Sequence, residues 1–94
     1  MISVIELNDY KLNITNFKEG TADNGKKKIS FDFKVRSGEY NGVTTLLYEM
    51  TFYVRIPEKE EAFNATIFNY STSFTNLYEE NAIGDFHLEL IQVY

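Results

Sequence analysis

The stretch from Ile29 to Arg36 constrains this chain more than any other. Ile29, Phe31, Phe33 and Val35 alternate with Ser30, Asp32, Lys34 and Arg36. Side chains on a strand point to opposite faces in turn, so this reads as a strand with one face in a core and the other in water. Such a strand needs neighbours with the same two-faced pattern, and the chain supplies them. Residues 2–7 are mostly apolar, and Tyr10 to Thr15 alternate around Leu12 and Ile14. Asn8-Asp9 between them suits a two-residue turn with positive φ at both positions. That turn sets Leu7 against Tyr10 and Ile5 against Leu12 on one face, and Glu6 against Lys11 on the other. Phe86, Leu88 and Leu90 alternate with Asp85, His87 and Glu89, which predicts a final strand running to Tyr94.

The connections follow from turn chemistry. Asn41-Gly42 is the strongest short hairpin signal in the chain. Folding about it pairs Val35 with Tyr48, Phe33 with Met50, Phe31 with Phe52 and Ile29 with Val54, and sets Lys34 against Glu49 on the wet face. The second strand of that hairpin spans about residues 43–56, and Leu46-Leu47 breaks its alternation, as a bulge, a bend or a stretch covered on both faces does. Residues 18–28 are polar and read as a mobile loop ending in Lys26-Lys27-Lys28. The lysines read as a solvated loop end that discourages edge pairing, rather than as an anion site. Pro57, which has no donor for a ladder, closes the preceding strand, and a short helical turn follows it. Residues 62–78 read as strand and then irregular, because Asn, Thr, Ser, Phe and Tyr dominate there and are weak helix formers.

The predicted fold is therefore all-β: about six antiparallel strands in one domain spanning 1–94, as a curled sheet or a small, partly open barrel. Its 94 residues leave room for one modest core. There is no Cys, which removes disulfide scaffolds, zinc fingers and thiol catalysis. No segment approaches the run of about 18 apolar residues that a membrane helix needs. Glu6 and Asp9 interrupt the opening residues, no lysine precedes Lys11, and the expectation is a cytoplasmic protein. The net charge of −5 argues against nucleic acid as a partner. Eight Phe suit the core, whereas seven Tyr need partners for their hydroxyls, so some Tyr are expected at the surface.

Two stretches carry a family likeness. They are Leu46-Leu47-Tyr48-Glu49-Met50-Thr51-Phe52, and Asn69-Tyr70-Ser71-Thr72-Ser73-Phe74-Thr75-Asn76-Leu77-Tyr78-Glu79 followed by Asp85-Phe86. Through them the chain resembles the YkvR-like family, small uncharacterised proteins of Bacillus and relatives. The likeness is specific in the second stretch and weak over the first thirty residues, where this chain carries its own loop. It implies a compact β-rich domain in a bacterial cytoplasm. It implies no activity, and no catalytic residue is carried over from it.

Few residues suggest chemistry. Asp85, His87 and Glu89 share one strand face about 7 Å apart in successive steps. They cannot converge on one ion without a group from another strand, and alternating charges also describe a wet face, so no metal is assigned. His87 is the only His, no nucleophile elbow or phosphate loop accompanies it, and no cofactor or catalytic residue is assigned. The stretch 69–78 gathers hydroxyls, amides and two Tyr without net charge. Asn69, Tyr70, Thr72, Asn76 and Tyr78 are the candidates for binding a ligand or partner. Against this stands a structural role, in which the same side chains satisfy their own backbone. The leading expectation is a non-enzymatic binding module for a protein partner or for a second copy of itself. A small-ligand carrier with an aromatic-lined cavity near 69–78 comes second, and an enzyme using His87 with Asp85 or Glu89 third.

Overall fold

The computed structural model describes residues 2–73 and 83–93. Six strands form a closed barrel: β1 (Val4–Leu7), β2 (Tyr10–Thr21), β3 (Lys27–Arg36), β4 (Thr51–Ile56), β5 (Glu61–Ser73) and β6 (Ile83–Val93). All ladders are antiparallel, and the order around the barrel is β1-β2-β3-β6-β5-β4. A 3-10 turn (Ser37–Glu39) and a helix α1 (Tyr40–Leu47) lie between β3 and β4, and a second 3-10 turn (Pro57–Lys59) lies between β4 and β5.

The first hairpin has the register expected from its turn. Asn8 and Asp9 take φ of 49° and 70°, Leu7 faces Tyr10, Ile5 faces Leu12 and Glu6 faces Lys11. Closure comes from β1 meeting β4 through Glu6↔Arg55 and Leu7↔Val54, so the barrel is shut rather than partly open. Asn8 reinforces this seam: its N–H donates to Tyr53 O at 3.0 Å, and its Oδ1 accepts from Tyr53 N–H at 2.8 Å. Oε1 of Glu58, in the turn after Pro57, accepts from Ser3 N–H, Ser3 Oγ and Val4 N–H at 2.8–3.0 Å and fastens the start of β1. A closed ladder hides backbone groups that an open sheet leaves exposed.

The hairpin about Asn41-Gly42 does not form. β3 is flanked by β2 and β6, so no side of it remains for β4. Lys34 consequently meets Asp85 and not Glu49. Asn41 and Gly42 sit in the first turn of α1, whose Tyr40, Val43, Thr44 and Leu47 follow helical spacing. Val43 and Leu47 are buried, with Tyr40 and Leu46 packed partly against the same core. The break in alternation at Leu46-Leu47 is thus a helix that covers part of the barrel, and β4 begins only at Thr51.

Residues 18–28 also depart from the loop expected there. β2 continues to Thr21 and β3 starts at Lys27, which leaves a five-residue turn. Strand pairing persists past a bulge between Thr15 and Lys18, where Asn16 takes φ of 54°. The polar ribbon is tied by ion pairs: Lys27 with Glu19 and Glu61, and Lys59 with the same two carboxylates. Residues 61–73 form one strand, with a bulge at Phe68 between Ile67 and Asn69, and residues 74–78 of the stretch expected to turn irregular lie outside the described residues.

The core is the inward face of every strand. Ile5, Leu7, Ile29, Phe31, Val35, Phe52, Val54, Ile56, Ala65, Phe86, Leu88 and Leu90 are all at most 2% exposed. Among the described residues no polar or charged side chain is buried.

Candidate functional site

The five candidate residues do not make one site. Asn69 faces outward, where its Nδ2 donates to Glu89 Oε2 at 3.3 Å. Tyr70 lies across from Leu88, and Thr72 across from Phe86. Asn76 and Tyr78 lie outside the described residues. Register separates Asn69 from Tyr70, since consecutive strand residues point to opposite faces.

Tyr70 joins residues that sequence reading did not connect with it. Tyr40, Thr44, Leu47 and Tyr48 of the α1 segment, Met50, and Ile67 and Tyr70 of β5 line a groove of about 370 Å³, with no charged side chain among the described residues. The ring of Tyr70 stands edge-on to Phe86, 5.9 Å between centroids. Partial burial pushes the Tyr70 hydroxyl above its usual pKa of 10. Tyr48 is 84% exposed and Met50 51%, so the groove opens to solvent. Met50 takes φ of 66° just after α1, where its N–H donates to Leu47 O at 3.1 Å. A non-glycine residue in this region carries a cost of about 1–2 kcal/mol. The available signal was the helical spacing of Tyr40, Thr44 and Leu47, which the Asn-Gly turn outweighed.

The outer face carries a polar array centred on His87. Nδ1 of His87 lies 2.5 Å from Asp32 Oδ1, and Nε2 lies 3.1 Å from Glu89 Oε2. Asn16 Nδ2 donates to Asp32 Oδ2 at 2.8 Å, and Lys28 Nζ lies 3.2 Å from Glu89 Oε1. The pairing of His87 with Glu89 is present. Asp85 instead binds Lys34 at 2.6 Å, and Asp32 takes the place expected for it. Asp32 was missed because only the pairing of β3 with β6 puts it opposite His87. Both ring nitrogens lie within hydrogen-bond reach of carboxylates, which favours the protonated imidazolium. Among the described residues, no group of three or more His, Asp or Glu side chains could hold a metal ion.

This array makes stability depend on pH. The hydrogen bond to Asp32 raises the His87 pKa above its usual 6.5, outweighing a desolvation effect that is itself larger than the further rise from Glu89. Its stabilisation is therefore complete below pH 6.5 and is lost as pH rises through the raised value. Asn16 and His87 hold Asp32 below 3.8, and His87 and Lys28 hold Glu89 below 4.5. Their stabilisation is present above those values and is lost as pH falls through the lowered ones. The array is complete between pH 4.5 and 6.5. Solvent reaches these side chains, so the expected advantage of the native chain over His87→Gln is about 0.5–1 kcal/mol near pH 5.5. Urea titrations across pH should show that advantage shrinking above neutrality. A difference that does not change with pH would contradict this account.

No helix among the described residues is long and apolar enough to cross a membrane. Residues 4–94 match the family described as "Protein of unknown function (DUF3219)". The chain is 38% identical over 92 residues to the uncharacterized protein YkvR of Bacillus subtilis (strain 168), covering 98% of this chain and 94% of that protein. The NMR solution structure of YkvR aligns with a TM-score of 0.63 at the same identity, over 100% of this chain and 88% of that one.

Proposed function

The chain belongs to the DUF3219 family of proteins of unknown function, and from that premise we propose that it is a non-enzymatic binding module whose groove between α1 and β5 receives an extended segment of a protein partner. The observation that carries this reading is the groove itself: without charge among the described residues, rimmed by Tyr40, Tyr48 and Tyr70, and open to solvent. Rigid, amphipathic Tyr side chains give large contact area at low entropic cost.

Two further features favour a peptide segment over a small molecule. Pairing of β5 with β4 ends at Thr51↔Thr66, whereas pairing with β6 continues to Ser73↔Asp85. From Phe68 onward β5 thus has a strand neighbour on one side only, among the described residues, and its other edge can accept an added strand. Met50 also keeps an exposed apolar side chain at a backbone angle that favours glycine, a local cost that binding would justify.

The test is a peptide-display selection on the intact chain. It should return extended sequences with apolar residues at every second position. Combining Tyr48→Ala with Tyr70→Ala should weaken the best peptide at least about tenfold, the scale of losing an aromatic anchor. Met50→Gly should also weaken binding while raising stability by about 0.5–1 kcal/mol. No selected sequence above background, or affinity unchanged by the double variant, rejects the reading. Light scattering across a concentration series separates the two partner classes: a concentration-dependent dimer lost in Tyr48→Ala assigns the groove to a second copy.

A further inference from the structure

A second cleft, remote in chemistry from the aromatic groove, gathers positive charge in an acidic protein. Its volume is about 630 Å³, and its walls are Tyr10 to Asn13 of β2 on one side and Lys34 to Glu39 on the other. The cleft has an identifiable origin. The β2–β3 ladder stops at Ile14↔Phe33. Carried further, the same register would set Lys11 directly opposite Arg36. Like charges facing across a ladder repel, and here β2 is paired with β1 while β3 is paired with β6. The space left between them is the cleft.

The charges within it are unequal in their commitments. Lys27, Lys28, Lys34, Arg55 and Lys59 enter ion pairs. Lys11 and Arg36 enter none among the described residues, and both line this cleft. Lys34 adds a third cation, already balanced by Asp85 at 2.6 Å, and Glu39 is the one carboxylate on the wall among the described residues. Val35 and Val43 beneath the cleft are at most 3% exposed and out of a ligand's reach, whereas the half-buried ring of Tyr10 on the wall can be reached. An Arg guanidinium fork and a Lys ammonium lining one cleft match a phosphate in geometry and charge. The Tyr10 ring suits an organic body joined to that phosphate, in a volume typical of small-molecule sites.

We propose that the cleft between β2 and the Lys34–Glu39 segment binds a small organic phosphate, with Arg36 and Lys11 holding the phosphate and Tyr10 supporting the organic group. Among the described residues the site shares no lining residue with the aromatic groove.

Phenyl phosphate is the probe, titrated into isotope-labelled protein and followed by amide shifts. Saturable shifts should be confined to residues 10–13 and 34–39, and binding should weaken as salt is raised. Lys11→Gln and Arg36→Gln should each weaken binding about tenfold, the scale of one charge-assisted contact. Both side chains are exposed, so neither variant should lower the melting temperature of the free protein. Tyr48→Ala should leave phenyl phosphate binding unchanged, which separates failure of this proposal from failure of the groove reading. The proposal is overturned by shifts that do not saturate, by shifts centred on Lys26 to Lys28, or by affinity indifferent to Lys11→Gln and Arg36→Gln. Equal affinity for inorganic phosphate overturns it as well, because the Tyr10 ring would then contribute nothing.

Discussion

Phe31→Ala should destabilise the protein by about 3–5 kcal/mol, the cost of removing a buried aromatic ring and leaving a cavity. Phe31 is fully buried on β3, the strand held between β2 and β6. Its ring packs at 6.0 Å from Phe33, which packs at 5.3 Å from Phe86, and Leu88 faces it across the ladder. Total stability for a domain of this size is about 5–15 kcal/mol. The loss therefore takes a large share of it and should lower the melting temperature by tens of degrees, at about 4–8 °C per kcal/mol. Phe68→Ala is the internal control. Phe68 is 58% exposed at the β5 bulge, with Lys28 Nζ 4.3 Å from its ring centroid. Its removal should cost at most about 1 kcal/mol. Urea unfolding of the two variants checks both. Similar losses from the two would contradict the burial described.

Leu47→Ala should cost about 2–4 kcal/mol, whereas Tyr48→Ala should stay within about 0.5 kcal/mol. The two residues are adjacent, yet Leu47 is 7% exposed and Tyr48 84%. The contrast follows from the helix. Leu47 shares the buried face with Val43, four residues earlier, while Tyr48 turns outward at the C-terminal cap. A hairpin about Asn41-Gly42 would place Tyr48 inward against Val35 and reverse the ranking. Leu47 also lines the aromatic groove, so Leu47→Ala should loosen α1. Hydrogen exchange of the 43–50 amides should accelerate more than that of β3 and β6. An unchanged exchange pattern, or a larger loss from Tyr48→Ala, would count against α1 as described.

The comparison of pattern with structure turns on how far apart in the chain each decision is made. The Asn8-Asp9 hairpin was legible to its register, because turn type and cross-strand pairs lie within ten residues and agree with one another. The inward faces of β3 and β6 were legible for a similar reason: alternation alone tells which side chains are buried. At Asn41-Gly42 the local signal pointed the wrong way. A two-residue turn and the first turn of a helix both accommodate that pair, and the choice rests on whether β3 has a free side. It has none, since β6, about fifty residues later in the chain, occupies it.

The candidate sites show the same division. Tyr70 was legible as a candidate from an excess of Tyr in a stretch without charge. Its companions Tyr40, Tyr48 and Met50 were not, because they reach it only when α1 lies beside β5. His87 stood out as the only His, but its principal partner Asp32 is brought to it by strand pairing. Lys11 and Arg36 carried no signal in the sequence, being ordinary wet-face residues until the ladder between them opens.

The sequence by itself determined the class of fold, the inward face of most strands, the first turn and the acidic balance, since each depends on periodicity, residue chemistry or charge counted along the chain. Only the tertiary structure decided that the sheet closes, that residues 40–47 are a helix against the barrel, and which side chains share a groove or cleft. Those outcomes depend on which strand edge remains unpaired once the others have met, a competition among distant segments that no local pattern records.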